Sequence, residues 1–96
     1  MQLKWTDLAA EDLDQIEASI AEENSPVVAI DVVLKVINTS ELVLSSHPSA
    51  GRSGRVKDTR ELVIDGIPFI VIYRFMERLR EVQILRVLHD AQQWPM

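Results

Sequence analysis

The sequence predicts an α+β fold, with an N-terminal helical hairpin packed against an antiparallel β-sheet. Two observations predict it. Apolar residues recur at helical spacing in the first half of the chain, and three short runs rich in Val, Ile and Phe follow in the second half. Helices that segregate from a strand meander in this way form two layers around one core. With 96 residues available, we expect residues 1–96 to form a single domain.

Two helices are predicted after a short strand at Gln2–Trp5. Thr6 provides an N-cap for the first helix, and Ser25 followed by Pro26 begins the second, because proline at the first helical position loses no hydrogen bond. The residue before Pro48 is pushed out of helical geometry, so the second helix must end there. Along the first helix one apolar stripe is expected to face the core, formed by Ala9, Leu13, Ile16 and Ile20.

Three strands are predicted in the second half, at Arg60–Asp65, Ile67–Phe75 and Arg80–Leu88. Asp65 and Gly66 are typical of a tight turn between the first two. Strict alternation along the third strand divides its side chains between two faces, with Val82, Ile84, Arg86 and Leu88 on one and Leu85, Val87 and His89 on the other.

Both faces of the predicted sheet are apolar, because Phe69 and Val71 point one way while Ile70 and Ile72 point the other. An antiparallel sheet with one face in water would alternate apolar and polar residues instead. The two helices can cover only one face, so the C-terminal tail or a partner is expected to cover the second. We therefore predict that Trp94 packs against the domain.

The composition excludes several classes of site. No cysteine is present, which rules out disulfides, thiolate catalysis and Cys-based zinc sites. Two histidines about forty positions apart, without a carboxylate pattern, predict no metal site, and no cofactor signature is found. The sequence predicts no signal peptide and contains no apolar run long enough to span a membrane. We therefore expect a cytoplasmic protein that uses no metal, no cofactor and no membrane.

Charge is distributed unevenly along this acidic chain, whose net charge is −5. Residues 1–46 have a balance of −7, and residues 47–96 have a balance of +2. Positive charge is concentrated in a loop that contains glycines, where Arg52, Arg55 and Lys57 are placed to bind phosphates or another negative target. The alternative is that these side chains pair with nearby acids, of which the first helix offers many.

Arg86 and His89, at the end of the third strand, are candidates for chemistry. A guanidinium stabilises developing phosphate charge and an imidazole moves protons near neutral pH, a combination that suits cleavage of an RNA backbone. The alternative is that Arg86 satisfies a carboxylate or the strand end and that His89 caps the tail. Tyr73 is expected in the core, and His47 is expected to have a local hydrogen-bonding role.

Five segments taken together resemble the RelE/ParE superfamily of toxins from bacterial toxin–antitoxin pairs. In chain order they are WTDLAAEDLDQI, HPSAGRSGRV, TRELVI, PFIVIYRF and VQILRVLHDAQQWP, and they span essentially the whole chain. The resemblance implies the small toxin fold, a helical hairpin against a twisted antiparallel sheet. It also implies growth inhibition, plasmid stabilisation, and a cognate antitoxin that wraps the toxin and docks on the uncovered face of the sheet and its neighbouring grooves.

The superfamily has two activities, and the resemblance leaves both open. RelE-like members cut messenger RNA inside the ribosome. By position, Arg60 and Arg86 would then stabilise phosphate charge, His89 would act as acid or base, and the loop cations would hold the RNA backbone. ParE-like members poison DNA gyrase by protein contact and have no known catalysis of their own. The net charge of −5 and the long first helix favour a ParE-like toxin.

Overall fold

The computed structural model describes residues 1–92 and residue 94. Within this part of the chain the helices are α1 (Asp7–Glu23) and α2 (Pro26–Ser46). The strands are β1 (Gln2–Trp5), β2 (Arg52–Ser53), β3 (Arg60–Val63), β4 (Phe69–Met76) and β5 (Glu81–His89), with a 3₁₀ turn at Glu77–Leu79. They form one sheet in the order β1-β5-β4-β3-β2, with both helices packed on it. The predicted α+β class and helical hairpin are confirmed.

Both helices begin where the sequence predicts, and both caps are made. Thr6 Oγ1 accepts from the Ala9 N–H at 3.2 Å, and Ser25 Oγ accepts from the Val28 N–H at 3.2 Å. The Thr6 hydroxyl also donates to the carbonyl of Ile84 at 2.8 Å, which ties the start of α1 to β5. None of the described helices is both long and apolar enough to cross a membrane.

The sheet is mixed, because β1 pairs in parallel with β5. Gln2 lies opposite Glu81, and Trp5 lies opposite Ile84. The remaining pairings are antiparallel, and β3, β4 and β5 form the predicted meander. The expectation of a wholly antiparallel sheet was wrong at β1, because a short strand carries no local signal that identifies a distant partner. The two-residue strand β2 was not predicted, since so short a run shows no alternation.

A bulge interrupts the pairing of β5 with β4. Ile72 pairs with Arg86, and Tyr73 pairs with Ile84, so Leu85 has no partner on β4. An extra residue of this kind shifts the two-residue alternation of side chains by one position.

Residues beyond the bulge therefore lie on faces other than those that strict alternation predicts. Val87 pairs with Val71 and is buried in the core between helices and sheet, where Leu88 was expected. Leu88 pairs instead with Ile70, on the face away from the helices. The predicted grouping of Val82, Ile84 and Leu88 on one face was wrong because the sequence gives no sign of the bulge.

The face of the sheet away from the helices is partly covered by the chain itself. Trp94 lies with Ile70, Ile72 and Leu88 around one small cavity, and the last two are almost fully buried. Trp94 is itself partly buried, which confirms that it packs against the domain. Of the two covers expected for this face, the tail or a partner, the tail supplies the one over these apolar residues. The rest of the predicted tail includes Gln93, Pro95 and Met96, which lie outside the described residues.

Candidate target-binding loop and the predicted catalytic residues

The loop between α2 and β3 is fixed to the sheet by one buried tyrosine. The Tyr73 hydroxyl donates to the carbonyl of Pro48 at 2.7 Å and accepts from the N–H of Gly51 at 2.9 Å. A Cβ at Gly51 would lie 2.8 Å from that hydroxyl, so only glycine allows this approach. Burial raises the pKa of Tyr73, although the Gly51 N–H and the charge of Arg60 act in the opposite direction. Tyr73 is a core residue, as predicted, and it positions the loop.

A buried carboxylate at the base of the loop holds two of its arginines. Glu61 Oε1 accepts from Nε and Nη2 of Arg52 at 3.1 and 3.0 Å, and Oε2 accepts from the backbone N–H of Arg55 at 3.2 Å. Glu61 is only 5% exposed, and these three bonds compensate the burial of its charge. The acid that pairs with the loop cations was expected from the first helix, but it is Glu61 of β3. Strand alternation did not identify it, because a glutamate next to Arg60 is typical of a solvated position.

The predicted cations of the loop differ in how they are held. The side chains of Arg55 and Lys57 are exposed. Arg60 is half-buried, and its guanidinium donates to the carbonyl of Gly51 at 2.9 Å. The loop therefore presents Arg55 and Lys57 to solvent, while Arg52 and Arg60 take part in holding its backbone.

Arg86 forms an ion pair with a buried carboxylate, which is the alternative to catalysis expected for it. Its Nε and Nη2 donate to Oδ2 and Oδ1 of Asp12 at 2.8 and 3.0 Å. Asp12 Oδ2 also accepts from the backbone N–H of Val87 at 2.9 Å, at the edge of β5 that β1 no longer covers. The hydrogen bond to Asp12 raises the pKa of Arg86, whereas burial acts in the opposite direction. Sequence reasoning missed Asp12, which looks like one more acid on an acidic helix.

His89 lies at the exposed end of β5 and orders the start of the tail. Its Nδ1 accepts from the N–H of Ala91 at 3.1 Å and lies 3.2 Å from Oδ1 of Asp90. These contacts need different states of the ring, since Nδ1 accepts only when unprotonated and donates only when protonated. The imidazole also meets the ring of Phe69 edge-on, with centroids 5.6 Å apart. His89 therefore caps the tail, the alternative role expected for it.

The structure brings together two of the three residues predicted for catalysis. Arg86 and His89 line one cavity of about 320 Å³ beside α1, whereas Arg60 lies elsewhere. Arg60 pairs with Tyr73 and His89 pairs with Phe69, so these two positions are separated by four residues of β4, roughly 13 Å. β4 also lies between them in the sheet. Arg86 is directed toward α1. No cluster of three side chains able to hold a metal ion occurs among the described residues.

Comparison with known proteins identifies the family. The sequence profile of the family described as "ParE toxin of type II toxin-antitoxin system, parDE" matches residues 3–94. The chain belongs to this family. The Sinorhizobium fredii protein named "Putative toxin Y4kP" is 45% identical to this ParE-family chain over 94 residues, which make up 98% of the chain and 93% of that protein. The sequence resemblance to the RelE/ParE superfamily is confirmed.

Solved structures of toxin–antitoxin systems share the fold of this ParE-family chain. A chain of the chromosomal ParDE system from P. aeruginosa is 31% identical, with coverage of 93% of this chain and 95% of that one and a TM-score of 0.83. A chain of the RelBE2 complex from Mycobacterium tuberculosis is 21% identical, with coverage of 92% and 95% and a TM-score of 0.68. A chain of the E. coli RelBE complex is 11% identical, with coverage of 96% and 98% and a TM-score of 0.61. The two RelBE likenesses concern the fold alone.

This ParE-family chain exposes an apolar stripe on its second helix. Val27, Ile30 and Leu34 are 68%, 48% and 47% exposed, and their spacing places them on one face of α2, here called the α2 stripe. A helix that is apolar on several sides is normally buried on all of them. The α2 stripe therefore has the character of a surface that another chain covers.

Proposed function

We propose that this chain is a growth-inhibiting toxin that binds DNA gyrase and is neutralised by a cognate antitoxin. The observation that carries the proposal is that Arg60 lies apart from Arg86 and His89. The guanidinium of Arg86 is also already paired with Asp12. A ribonuclease needs its phosphate-binding and proton-transfer groups at one bond, whereas an inhibitor that acts by contact does not. Membership of the ParE family supports the same choice.

The proposed target-binding surface is the loop that carries Arg52, Arg55 and Lys57. Tyr73 and Glu61 fix its backbone from beneath, so little conformational freedom remains to be lost on binding. The positive charge concentrated in this loop, on a chain of net charge −5, would orient the toxin toward a negatively charged part of its target.

A cognate antitoxin is the partner proposed for the α2 stripe. The similar P. aeruginosa structure is that of a ParDE toxin–antitoxin system. An amphipathic antitoxin helix with Lys or Arg beside its apolar face fits an apolar stripe on a half of the chain whose charge balance is negative. Leu34→Asp is expected to weaken antitoxin binding at least tenfold in calorimetric titration. The control is Leu8→Asp, which changes an exposed leucine of α1 instead of α2 and should leave binding unchanged.

The action on gyrase is tested by induction without antitoxin, followed by pulse labelling of DNA and protein synthesis. DNA synthesis is expected to stop first, and purified toxin is expected to inhibit supercoiling by gyrase. The double variant Arg55→Gln, Lys57→Gln should lose this inhibition. The matched control Arg78→Gln, an exposed arginine outside the loop, should retain it.

The competing function is a RelE-like ribosome-dependent endoribonuclease, and the same induction separates the two. Since contact inhibition needs no proton transfer, His89→Ala is expected to remain toxic. Protein synthesis that stops before DNA synthesis, together with a non-toxic but normally stable His89→Ala variant, would contradict the gyrase proposal and identify a ribonuclease.

A further inference from the structure

An open groove lies beside the target-binding loop, where β4 extends past the start of β3. Its volume is about 1080 Å³. Because β3 begins at Arg60, opposite Tyr73, residues 74–76 of β4 have no strand beside them on that side. Loop residues 53–54 and 56–59 form the facing wall. The groove is thus a gap in the sheet, floored by an unpaired stretch of strand.

A backbone amide of β4 faces this gap. The N–H of Ile64 donates to the carbonyl of Phe69 at 3.3 Å, which shows that odd-numbered residues of β4 direct their backbone groups toward β3. Phe75 follows the same alternation. Its N–H and C=O therefore point into the groove, at a position where β3 supplies no residue to pair with them.

The groove also carries a small excess of positive charge. Lys57, Arg60 and Arg74 line it, against the carboxylates of Asp58 and Glu77. Arg74 Nε is buried and has no hydrogen-bond partner within the described part of the chain. A buried donor without an acceptor is unfavourable, and the side chain of Arg74 is otherwise only half-buried, so a small shift of its guanidinium toward an acceptor in the groove would be stabilising.

We propose that this groove binds a backbone phosphate of duplex DNA. The phosphate oxygens accept from the guanidinium of Arg74 and from the Phe75 N–H, while Lys57 and Arg60 supply compensating charge. Because such contacts reach only the backbone, binding is independent of DNA sequence. The inference rests on the proposed action on gyrase, whose substrate is DNA, and it extends that function to a toxin that holds enzyme and DNA together.

Binding is measured by fluorescence anisotropy with the purified toxin and labelled DNA duplexes of two unrelated sequences. Arg74→Gln is expected to weaken affinity about tenfold for both duplexes and to reduce the slope of log affinity against log salt by about one. The matched control is Arg78→Gln, which removes the same charge from the adjacent 3₁₀ turn outside the groove. It is expected to change affinity by less than about twofold.

A second measurement does not depend on any variant. In the wild-type protein, inorganic phosphate is expected to shift the amide resonance of Phe75 and the Nε–H resonance of Arg74, and to leave the amide of Leu42 unchanged. Phosphate that shifts no resonance of the groove overturns the proposal. Equal losses of DNA affinity in Arg74→Gln and Arg78→Gln overturn it as well.

Failure of the groove proposal and failure of the gyrase proposal give different results. If Arg74→Gln inhibits supercoiling as well as wild type and phosphate leaves Phe75 unchanged, the groove proposal is wrong and the action on gyrase stands. If Arg74→Gln loses DNA affinity while the wild-type toxin leaves supercoiling untouched, the groove proposal stands and the action on gyrase is wrong. If Arg74→Gln loses binding to gyrase in the absence of DNA, the groove contacts protein and the DNA proposal is overturned.

Discussion

Replacing Asp12 with alanine is expected to lower the free energy of unfolding by about 3 kcal/mol. The carboxylate accepts two hydrogen bonds from Arg86 and one from the N–H of Val87. Without it the buried Val87 N–H has no acceptor, which costs about 1–3 kcal/mol. Loss of the ion pair costs about 1–2 kcal/mol more. This cost is smaller than for a fully buried ion pair, because the Arg86 side chain is 19% exposed and water can partly hydrate its charge.

The assay is urea denaturation followed by circular dichroism, with Glu11→Ala as the control. Glu11 is the neighbouring acid of α1 and is exposed, so its removal should change stability by less than about 0.5 kcal/mol. The double variant Asp12→Ala, Arg86→Met should be less destabilised than the sum of the two single variants, because it leaves no unpaired charge at the site. If Asp12→Ala and Glu11→Ala unfold at the same urea concentration, the reasoning is refuted.

The same contact governs how variants of Arg86 must be interpreted. Arg86→Ala leaves the Asp12 carboxylate buried with only the Val87 N–H as a donor. We expect this variant to be destabilised to a similar extent as Asp12→Ala. A loss of toxicity in Arg86→Ala is therefore evidence for catalysis only if its midpoint of unfolding equals that of the wild type.

Two further predictions concern the loop between α2 and β3. Tyr73→Phe should lower the free energy of unfolding by about 1–3 kcal/mol, because the buried N–H of Gly51 and the carbonyl of Pro48 both lose their partner, and chemical denaturation measures the change. Burial raises the pKa of Tyr73 in the folded state, so the unfolded chain ionises first as the pH rises past about 10. The stability advantage of the wild type over Tyr73→Phe should therefore be constant below about pH 9 and shrink above about pH 10, and an advantage that stays constant there would argue against the raised pKa. Gly54→Ala should cost about 1–3 kcal/mol in the same assay, because the added Cβ would collide with Oγ1 of Thr59 and lie 2.9 Å from its carbonyl oxygen; an unchanged unfolding midpoint would show that the loop adjusts.

Features of the fold that depend on neighbouring residues were predictable from the sequence. Thr6 and Ser25 cap the helices because a side-chain oxygen at that position satisfies an amide three residues later. The turn after Asp65 was equally local, since Gly66 adopts a φ of 83° that other residues rarely tolerate. The packing of Trp94 was predictable because the helices cover only one of the two apolar faces of the sheet, so the other face needs a cover.

Features that depend on distant residues were not predictable from the sequence. Leu85 looks like any other apolar strand residue, yet the bulge there exchanges the faces of everything after it. Asp12 and Glu61 look like solvated acids, and only the folded chain places them against Arg86 and Arg52. The sequence thus identified the candidate site residues from their chemical type. It did not identify their hydrogen-bond and ion-pair partners, because those partners lie on other elements of the fold.

The pairing of β1 with β5 determines when the toxin can fold during its synthesis. Gln2 is translated well before its partner Glu81, which follows about eighty positions later. β5 also joins β1 to the rest of the sheet, so a nascent chain that lacks it has no partner for β1 and no edge against which α1 can be anchored through Asp12. Contacts between positions so far apart form slowly, because a long loop must close first. A cell therefore encounters the folded toxin only after β5 has left the ribosome.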